Sequence, residues 1–297
     1  VTKNPLDIAP TSLQLWIDAA SLSTAGSSWS DKSGKNNHTA RVGTPAVVTD
    51  AQNGLSVMRY SANGQFHYFD KMTDIRTVFW VLKRTGTDTE QRFLLGDHFN
   101  RQTYHFHSNG QTMYHGSHAH ANVRTGTTRV NGSSVNGTST NYPSTMSVIS
   151  VKTAGNVTAS SFSRDRNYNQ RVWKGDLGEL IIFNTALSDS DISSIEGYLA
   201  HKWGLLEDLA ASGFAVNQGL VLYYPFNETG GSVVEDYSET LRHGMVIDAD
   251  LNTEGKFASG IGFDSIDVLN AKIDLDYNSI DFGGSANWTV SSWFKYP

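Results

Sequence analysis

Between Gly175 and Leu205 the chain reads GDLGELIIFNTALSDSDISSIEGYLAHKWGL, and its hydrophobic positions change period halfway. Leu177 to Asn184 is a short apolar run bounded by Gly and by Asn-Thr, which predicts a buried strand. Ile192, Ile195, Tyr198, Leu199 and Trp203 then recur at helical spacing. Ser188 is placed to cap that helix, Asp189 and Asp191 sit in its first turn where the dipole favours carboxylates, and Gly204 supplies the stop. A core strand delivered into one amphipathic helix reads as the closing element of a domain.

Upstream, Leu13 to Asp18 (LQLWID) alternates before turning wholly apolar, and strand-like segments follow at 56–60, 77–83, 92–95, 103–107, 112–115, 145–152 and 177–184. Gly, Asn, Pro, Ser and Thr separate them, with no helical period between. Many short strands with turn signals and one late helix predict an all-β fold, an antiparallel β-sandwich with one C-terminal helix. Trp16, Trp80, Trp173, Trp203 and Trp293 each lie in or beside an apolar stretch and are expected in the core.

A repeat organises the chain more strongly than any single segment. Leu220 to Asn227 (LVLYYPFN) resembles Leu13 to Asp18. Asp31-x-Ser33, with His38 seven residues after the Asp, is matched by Asp236-x-Ser238 and His243. Thr77 to Lys83 is matched in outline by Thr289 to Lys295. The expected organisation is one module over 1–209, a linker over 210–218, and the first part of a second, similar module over 219–297. A sandwich lacking half its strands exposes an apolar face and open edges. Either the parent chain continues, or a partner completes the second module, or that module docks on the first.

Composition narrows the chemistry. The chain has no cysteine, which removes disulfides, thiolate nucleophiles and Cys-ligated zinc. No apolar run reaches membrane-spanning length, and the first residues show neither an initiator Met nor a signal-peptide pattern, so the chain reads as an excised or processed piece. The net charge of −6 is uneven, with 4 basic and 12 acidic residues from Gly219 onward. Neither part carries the basic stripe that a nucleic-acid partner requires.

LQLWIDA, SSWSDKSGKNNHTA, GDLGELIIFNTALS and IEGYLAHKWGL, followed by LVLYYPFNETGG, IGFDS and ANWTVSSWFK, together resemble the laminin-G-like modules of the concanavalin A-like superfamily found in large secreted bacterial proteins. The resemblance implies a jelly roll of two curved antiparallel sheets, an extracellular or cell-surface location, and carbohydrate binding or adhesion. It often brings a bound calcium. The second module departs from the family pattern at Asn227, where many relatives have Asp, and at Glu239-Thr240-Leu241.

Calcium takes six to eight oxygen ligands. If the first and last strands pair as such jelly rolls arrange them, Asp18, Asp31 and Glu179 converge as a candidate metal site. The alternative is that Asp31 and Asn36 brace a loop while Glu179 packs at a strand edge. A second cluster comprises His98, His105, His107, His115, His118 and His120. An Asn109-Gly110 hairpin turn would put His105, His107, Thr112 and Tyr114 on one face and Tyr104, Phe106, Met113 and His115 on the core face. Zinc is the weaker reading, because that split separates the imidazoles. The outer face, with His105, His107, Tyr114, His118, His120, Asn122 and Arg124, is a candidate glycan surface, since aromatic rings take a sugar's apolar face while amide, imidazole and guanidinium groups bond its hydroxyls. An ordinary solvated sheet face competes with it. Asp165-Arg166 and Arg171 read as an ion-paired loop.

No strand carries the paired carboxylates of a glycoside hydrolase, and no Gly-x-Ser-x-Gly elbow appears. Tyr114, His105 and Arg124 are an assortment a polysaccharide lyase would use, without a motif to support it. The expectation is a non-catalytic extracellular module that recognises carbohydrate, with a structural module binding an extracellular protein second and a lyase or hydrolase third.

Overall fold

In the computed structural model, residues 4–85, 90–98, 106–164, 168–211, 222–236, 243–254, 259–263, 272–274 and 292 are described. The chain divides into two compact units, Thr2–Phe214 and Ala215–Pro297. The strands of the first are β1 (Leu13–Asp18), β2 (Ser28–Trp29), β3 (Thr39–Val42), β4 (Ala46–Gln52), β5 (Leu55–Tyr60), β6 (Phe66–Arg84), β7 (Leu95–Gly96), β8 (Thr127–Val130), β9 (Ser133–Val135), β10 (Ser147–Phe162) and β11 (Gly175–Phe183). Its helices are α1 (Pro5–Ile8), α2 (Ala121–Arg124), α3 (Asp189–Trp203) and α4 (Leu206–Ala211).

All these strands pair antiparallel, in the order β4-β5-β11-β6-β10-β8-β9, with β1 on β11, β3 on β6 and β7 on β10. The long strands β6 and β10 pair along their length through three register shifts, and their halves take different neighbours. Phe66 to Tyr68 pairs with β3, whereas Thr77 to Arg84 pairs with β11. Bulges bend a strand and increase its twist, so one pair of strands serves both layers of the antiparallel sandwich.

Strand β11 is buried at every position, which is why it reads as a continuous apolar run. Leu180 and Ile182 join Val78, Trp80 and Leu82 of β6 in the main core. Ile181 and Phe183 point the other way and are equally buried. Helix α3 supplies Ile192, Ile195, Leu199 and Trp203 as buried apolar residues. Its Ser188 Oγ accepts from Asp191 N at 3.1 Å, and Gly204 closes it in the left-handed conformation, φ 66°. Trp16, Trp80, Trp173 and Trp203 are all buried; Trp293 lies outside the described residues.

The β11–β6 register shifts between Leu177 and Glu179, at Gly178. A Cβ there would stand 2.7 Å from the Trp203 ring, so the bulge glycine is what lets α3 seat. Gly178→Ala is expected to cost about 1–3 kcal/mol by overpacking, read as a lowered urea midpoint; an unchanged midpoint would show that the helix shifts freely.

Two features depart from the expected pattern. Helices α1, α2 and α4 are too short to carry a hydrophobic period, so only caps betray them: Asn4 accepts from Leu6 N at 2.8 Å, and His120 Nδ1 from Asn122 N at 3.1 Å. The expected strand at 92–95 is reduced to Leu95–Gly96 and a Phe93–His107 bridge, and 112–115 forms no strand, only isolated bridges from Thr112 to Asn109 and Asn141.

Ala215–Pro297 contributes the short antiparallel strands β12 (Val233–Val234), β13 (Gly244–Ile247), β14 (Asp250–Glu254), β15 (Ser259–Gly262) and β16 (Lys272–Asp274). Tyr223 N donates to Asp236 Oδ1 at 2.7 Å, and Asp236 N to His243 Nδ1 at 3.2 Å. The first unit makes the same two bonds, from Trp16 N to Asp31 Oδ1 at 2.9 Å and from Asp31 N to His38 Nδ1 at 3.0 Å. The Asp-x-Ser-x4-His spacing therefore encodes a local clasp between a loop and the segment before it, which is strand β1 in the first unit and carries no strand over 222–227 in the second.

Candidate functional site

The β1–β11 pairing sets Asp18 opposite Glu179, so two of the three candidate metal ligands do meet. The Lys202 ammonium of α3 lies between them, 2.7 Å from Asp18 Oδ2 and 2.5 Å from Glu179 Oε1. Trp16 Nε1 donates to Glu179 Oε2 and Trp203 Nε1 to Oε1, each at 2.8 Å, while Lys32 Nζ bonds Asp18 Oδ2 at 2.5 Å. Burial pushes the Asp18 pKa up, but Lys202 and Lys32 outweigh it and the net direction is down. Burial and the Asp18 charge raise Glu179, Lys202 offsetting part of this. Asp31 turns to its own loop and to β1, its oxygens accepting from Ser33 N, Ser33 Oγ and Asn37 N and from Trp16 N. This donor set does not fit a calcium ion, since a fixed ammonium stands where the cation would. Among the described residues, no group of three or more His, Asp or Glu is arranged to hold a metal.

In the second candidate set the corner moves by one residue. Thr112 N donates to Asn109 O at 3.1 Å, so Gly110, with φ 60°, and Gln111 occupy the corner in place of Asn109-Gly110. Moving the corner by one residue shifts the partner of His107 by two positions and leaves the faces as they were; both are covered, with Phe106, His107, Met113 and Tyr114 all buried. Tyr114, expected outside, is buried in the core, its ring edge-on to Phe106 and its hydroxyl accepting from Thr128 Oγ1 at 3.3 Å. Burial raises its pKa. His107 is buried too, stacked on Phe93 at 4.5 Å. His105 lies outside the described residues.

A row of rings leads outward from His107. His115 stacks on it at 5.3 Å, and the exposed His118 stacks on His115 at 4.2 Å and 6°. His115 Nδ1 accepts from Ser117 N and His118 N, each at 3.1 Å, which fixes the ring. His120 caps α2, Asn122 Nδ2 donates to Asn156 O at 3.0 Å, and Arg124 bonds Ala119 O at 3.0 Å and Gly116 O at 2.6 Å. Of the seven expected ligand residues, His118 and Arg124 stand beside the half-buried His115; Tyr114 and His107 instead support from beneath.

Beside this row, Asn63, Glu90, Gln91, Gln170 and Arg171 line a cleft of about 480 Å³. The wholly buried Arg92 holds two of its walls, donating to Glu90 Oε2 at 3.0 Å and to Gln170 O at 3.2 Å. Phe93 N donates to Arg171 O at 3.2 Å, and Gly64 N to Asn169 O at 2.8 Å. Tyr168 is 49% exposed and the Arg171 guanidinium lies 5.5 Å from its ring centre. The cleft thus combines two kinds of amide donor and acceptor, a carboxylate and a guanidinium with an accessible ring. Except for Arg171, these residues carry no signal in the sequence, because loops distant along the chain supply them.

No family model matches the chain, and no curated protein matches it. Among solved structures, a Trypanosoma rangeli sialidase in complex with sialic acid is 11% identical, covering 62% of this chain and 32% of its own, with a TM-score of 0.37. A mutant of that sialidase displaying trans-sialidase activity is 11% identical over 68% of this chain and 34% of its own, with a TM-score of 0.41. An exo-β-1,3-galactanase from Phanerochaete chrysosporium is 13% identical over 58% of this chain and 30% of its own, with a TM-score of 0.23. The chain spans about a third of the length of each. Likeness this slight does not bear on what the chain does.

Proposed function

We propose that the first unit is a non-catalytic carbohydrate-recognition module whose ligand lies in the cleft of Asn63, Glu90, Gln91, Gln170 and Arg171. The observation that carries this is the lining itself: side-chain amides, a carboxylate and a guanidinium converge beside the exposed Tyr168 ring. Sugars need such a mixture, hydroxyl-bonding groups in a fixed array and an apolar ring to lie against. Glu90 is the described carboxylate of this lining; Arg92 orients it from 3.0 Å, and its oxygens can accept from sugar hydroxyls. Hydrolysis would ask for a second carboxylate at about 5–9 Å.

A glycan array of neutral and acidic oligosaccharides, followed by titration calorimetry on the strongest binder, tests this. Tyr168→Ala and Gln170→Ala are each expected to weaken binding about tenfold, the loss of one directional contact, with an unchanged fold by circular dichroism. Binding to no glycan, or parental affinity in both variants, would overturn the reading. Release of reducing ends from a bound oligosaccharide would overturn the non-catalytic part.

The recurring Asp–His clasp supports Ala215–Pro297 being a second copy of the same module, in an extracellular protein of several such units.

A further inference from the structure

We infer that the second unit carries a protein-docking face of its own, the outer side of β12 and β13 at Val233 and Met245, and that its partner presents apolar and basic side chains together. The register of the two units makes the case. Val233 pairs with Met245 and Val234 with Gly244, as Ser28 pairs with Ala40 and Trp29 with Thr39. Met245, Val246 and Ile247 then pair with Asp274, Ile273 and Lys272, as Ala40, Arg41 and Val42 pair with Tyr68, His67 and Phe66. Trp29 and Val234, each two residues before the Asp of its clasp, are both buried. Their outward neighbours are therefore equivalent, Ser28 with Val233 and Ala40 with Met245.

The chemistry at these outward positions differs. In the first unit Ser28 is exposed and Ala40 half-buried beside Tyr68. In the second, Val233 is 45% and Met245 59% exposed, directly opposite each other. The strands do not require them, since the same register forms with Ser and Ala. A lone exposed apolar residue is ordinary, but a facing pair is the start of a patch. Methionine adapts its unbranched chain to the surface it meets, and it is enriched at interfaces with Arg and the aromatic residues.

Charge indicates what covers the pair. From Gly219 onward the chain has 4 basic and 12 acidic residues. Asp274 lies across from Met245 on the same face, with Lys272 3.2 Å away. Beside Val234, Glu235 N donates to Glu228 Oε1 at 2.7 Å, which brings two carboxylate side chains to that end of the strand. A second copy of this unit would set like charge against like, whereas a cationic surface is drawn in. The first unit shows the kind of side chain that this sheet face accepts. There Arg164 lies 4.5 Å from the Phe66 ring centre, and His98 stacks on Tyr68 at 5.0 Å.

The test selects random peptides about 12 residues long, displayed on phage, against the full chain, with counter-selection on the Val233→Ser/Met245→Ala double variant. Enriched peptides are expected to combine two or more Arg or Lys with aromatic or aliphatic residues. The strongest, made synthetically, should bind the parent at least about tenfold tighter than the double variant and weaken between about 50 and 200 mM NaCl. Asp274→Lys keeps both apolar side chains and is expected to weaken binding about threefold or more. Both variants should keep the parent's circular dichroism, because the first unit tolerates Ser and Ala at these positions. No enrichment over the double variant, enriched peptides lacking basic residues, or parental affinity in both variants would overturn the inference. So would a dimer in sedimentation equilibrium that the double variant abolishes, since it would assign the face to a second copy. None of these outcomes depends on glycan binding by the first unit.

Discussion

Replacing Lys202 by methionine is expected to lower the unfolding free energy by about 3–5 kcal/mol, because it strands two buried carboxylates. Asp18 is 5% exposed and Glu179 not at all. Lys32 would remain on Asp18, but Glu179 would keep only the indole N–H groups of Trp16 and Trp203. Its pKa, already raised by burial and by Asp18, would climb further, so the variant should lose stability more steeply than the parent as pH rises. The cost belongs to the stranded charge rather than to the lost methylenes, since methionine fills a similar space. Adding Glu179→Gln to Lys202→Met should therefore recover at least half of the loss, as the Gln carbonyl can still accept from an indole. Urea midpoints at pH 7 check both statements. A single variant within about 0.5 kcal/mol of the parent would mean that the cluster is solvated, and a double variant no better than the single would assign the cost to packing.

This cluster marks where sequence reasoning stops. Strand β11 and helix α3 were legible because their signals are local: an apolar run, a Ser188 cap, a helical period and a Gly204 stop. The pairing of β1 with β11 followed from a resemblance, and it brings Asp18 and Glu179 together as expected. Lys202 could not be read. In its own segment it is a basic residue in the last turn of a helix, where the dipole favours it, and its two partners lie 23 and 184 residues away. The same limit applies at the candidate ligand face. Met113 and Tyr114 alternate, yet both are buried, because residues distant along the chain, Thr128 and Tyr142 among them, pack on the segment. The clasp of Asp31 and His38 was legible as a repeat, but its hydrogen bonds were not, because they are made to backbone. The cleft was the least legible feature: its residues are ordinary polar loop positions, gathered only once the buried Arg92 ties the segments together.

Two buried titratable groups should tilt the pH profile of stability in opposite directions. His67 is 1% exposed, with Trp29 and Tyr60 edge-on to its ring and the Tyr60 hydroxyl 2.7 Å from Nδ1. Burial raises Tyr60 far above its ordinary range, so the phenol keeps its proton and donates it, and His67 stays neutral. Burial, assisted by Arg41, lowers the His67 pKa to about 3. A base with a depressed folded pKa favours unfolding as pH falls, because the unfolded chain takes up the proton first. From pH 6.5 down to 4 this amounts to about 3 kcal/mol. Glu196 acts the other way. On α3 it bonds Ser150 Oγ at 2.5 Å and lies 3.0 Å from Arg129, yet burial raises its pKa to about 7. An acid with a raised folded pKa stabilises fully below the unfolded value and loses that contribution as pH rises, here about 3 kcal/mol between pH 4.5 and 7. The two slopes nearly cancel between pH 4.5 and 6.5. Relative to the parent, His67→Gln should therefore make stability fall with rising pH across that window, while Glu196→Gln should make it climb. Urea unfolding at pH 4.5, 5.5 and 6.5 reads both. Parallel profiles for all three proteins would show that neither group is desolvated, and tilts of the same sign would refute one of the two assignments. Below pH 4.5 Glu196 no longer compensates. His67 and Asp18, whose carboxylate Lys202 and Lys32 hold down against its burial, both then drive acid unfolding, and the parent should lose stability steeply.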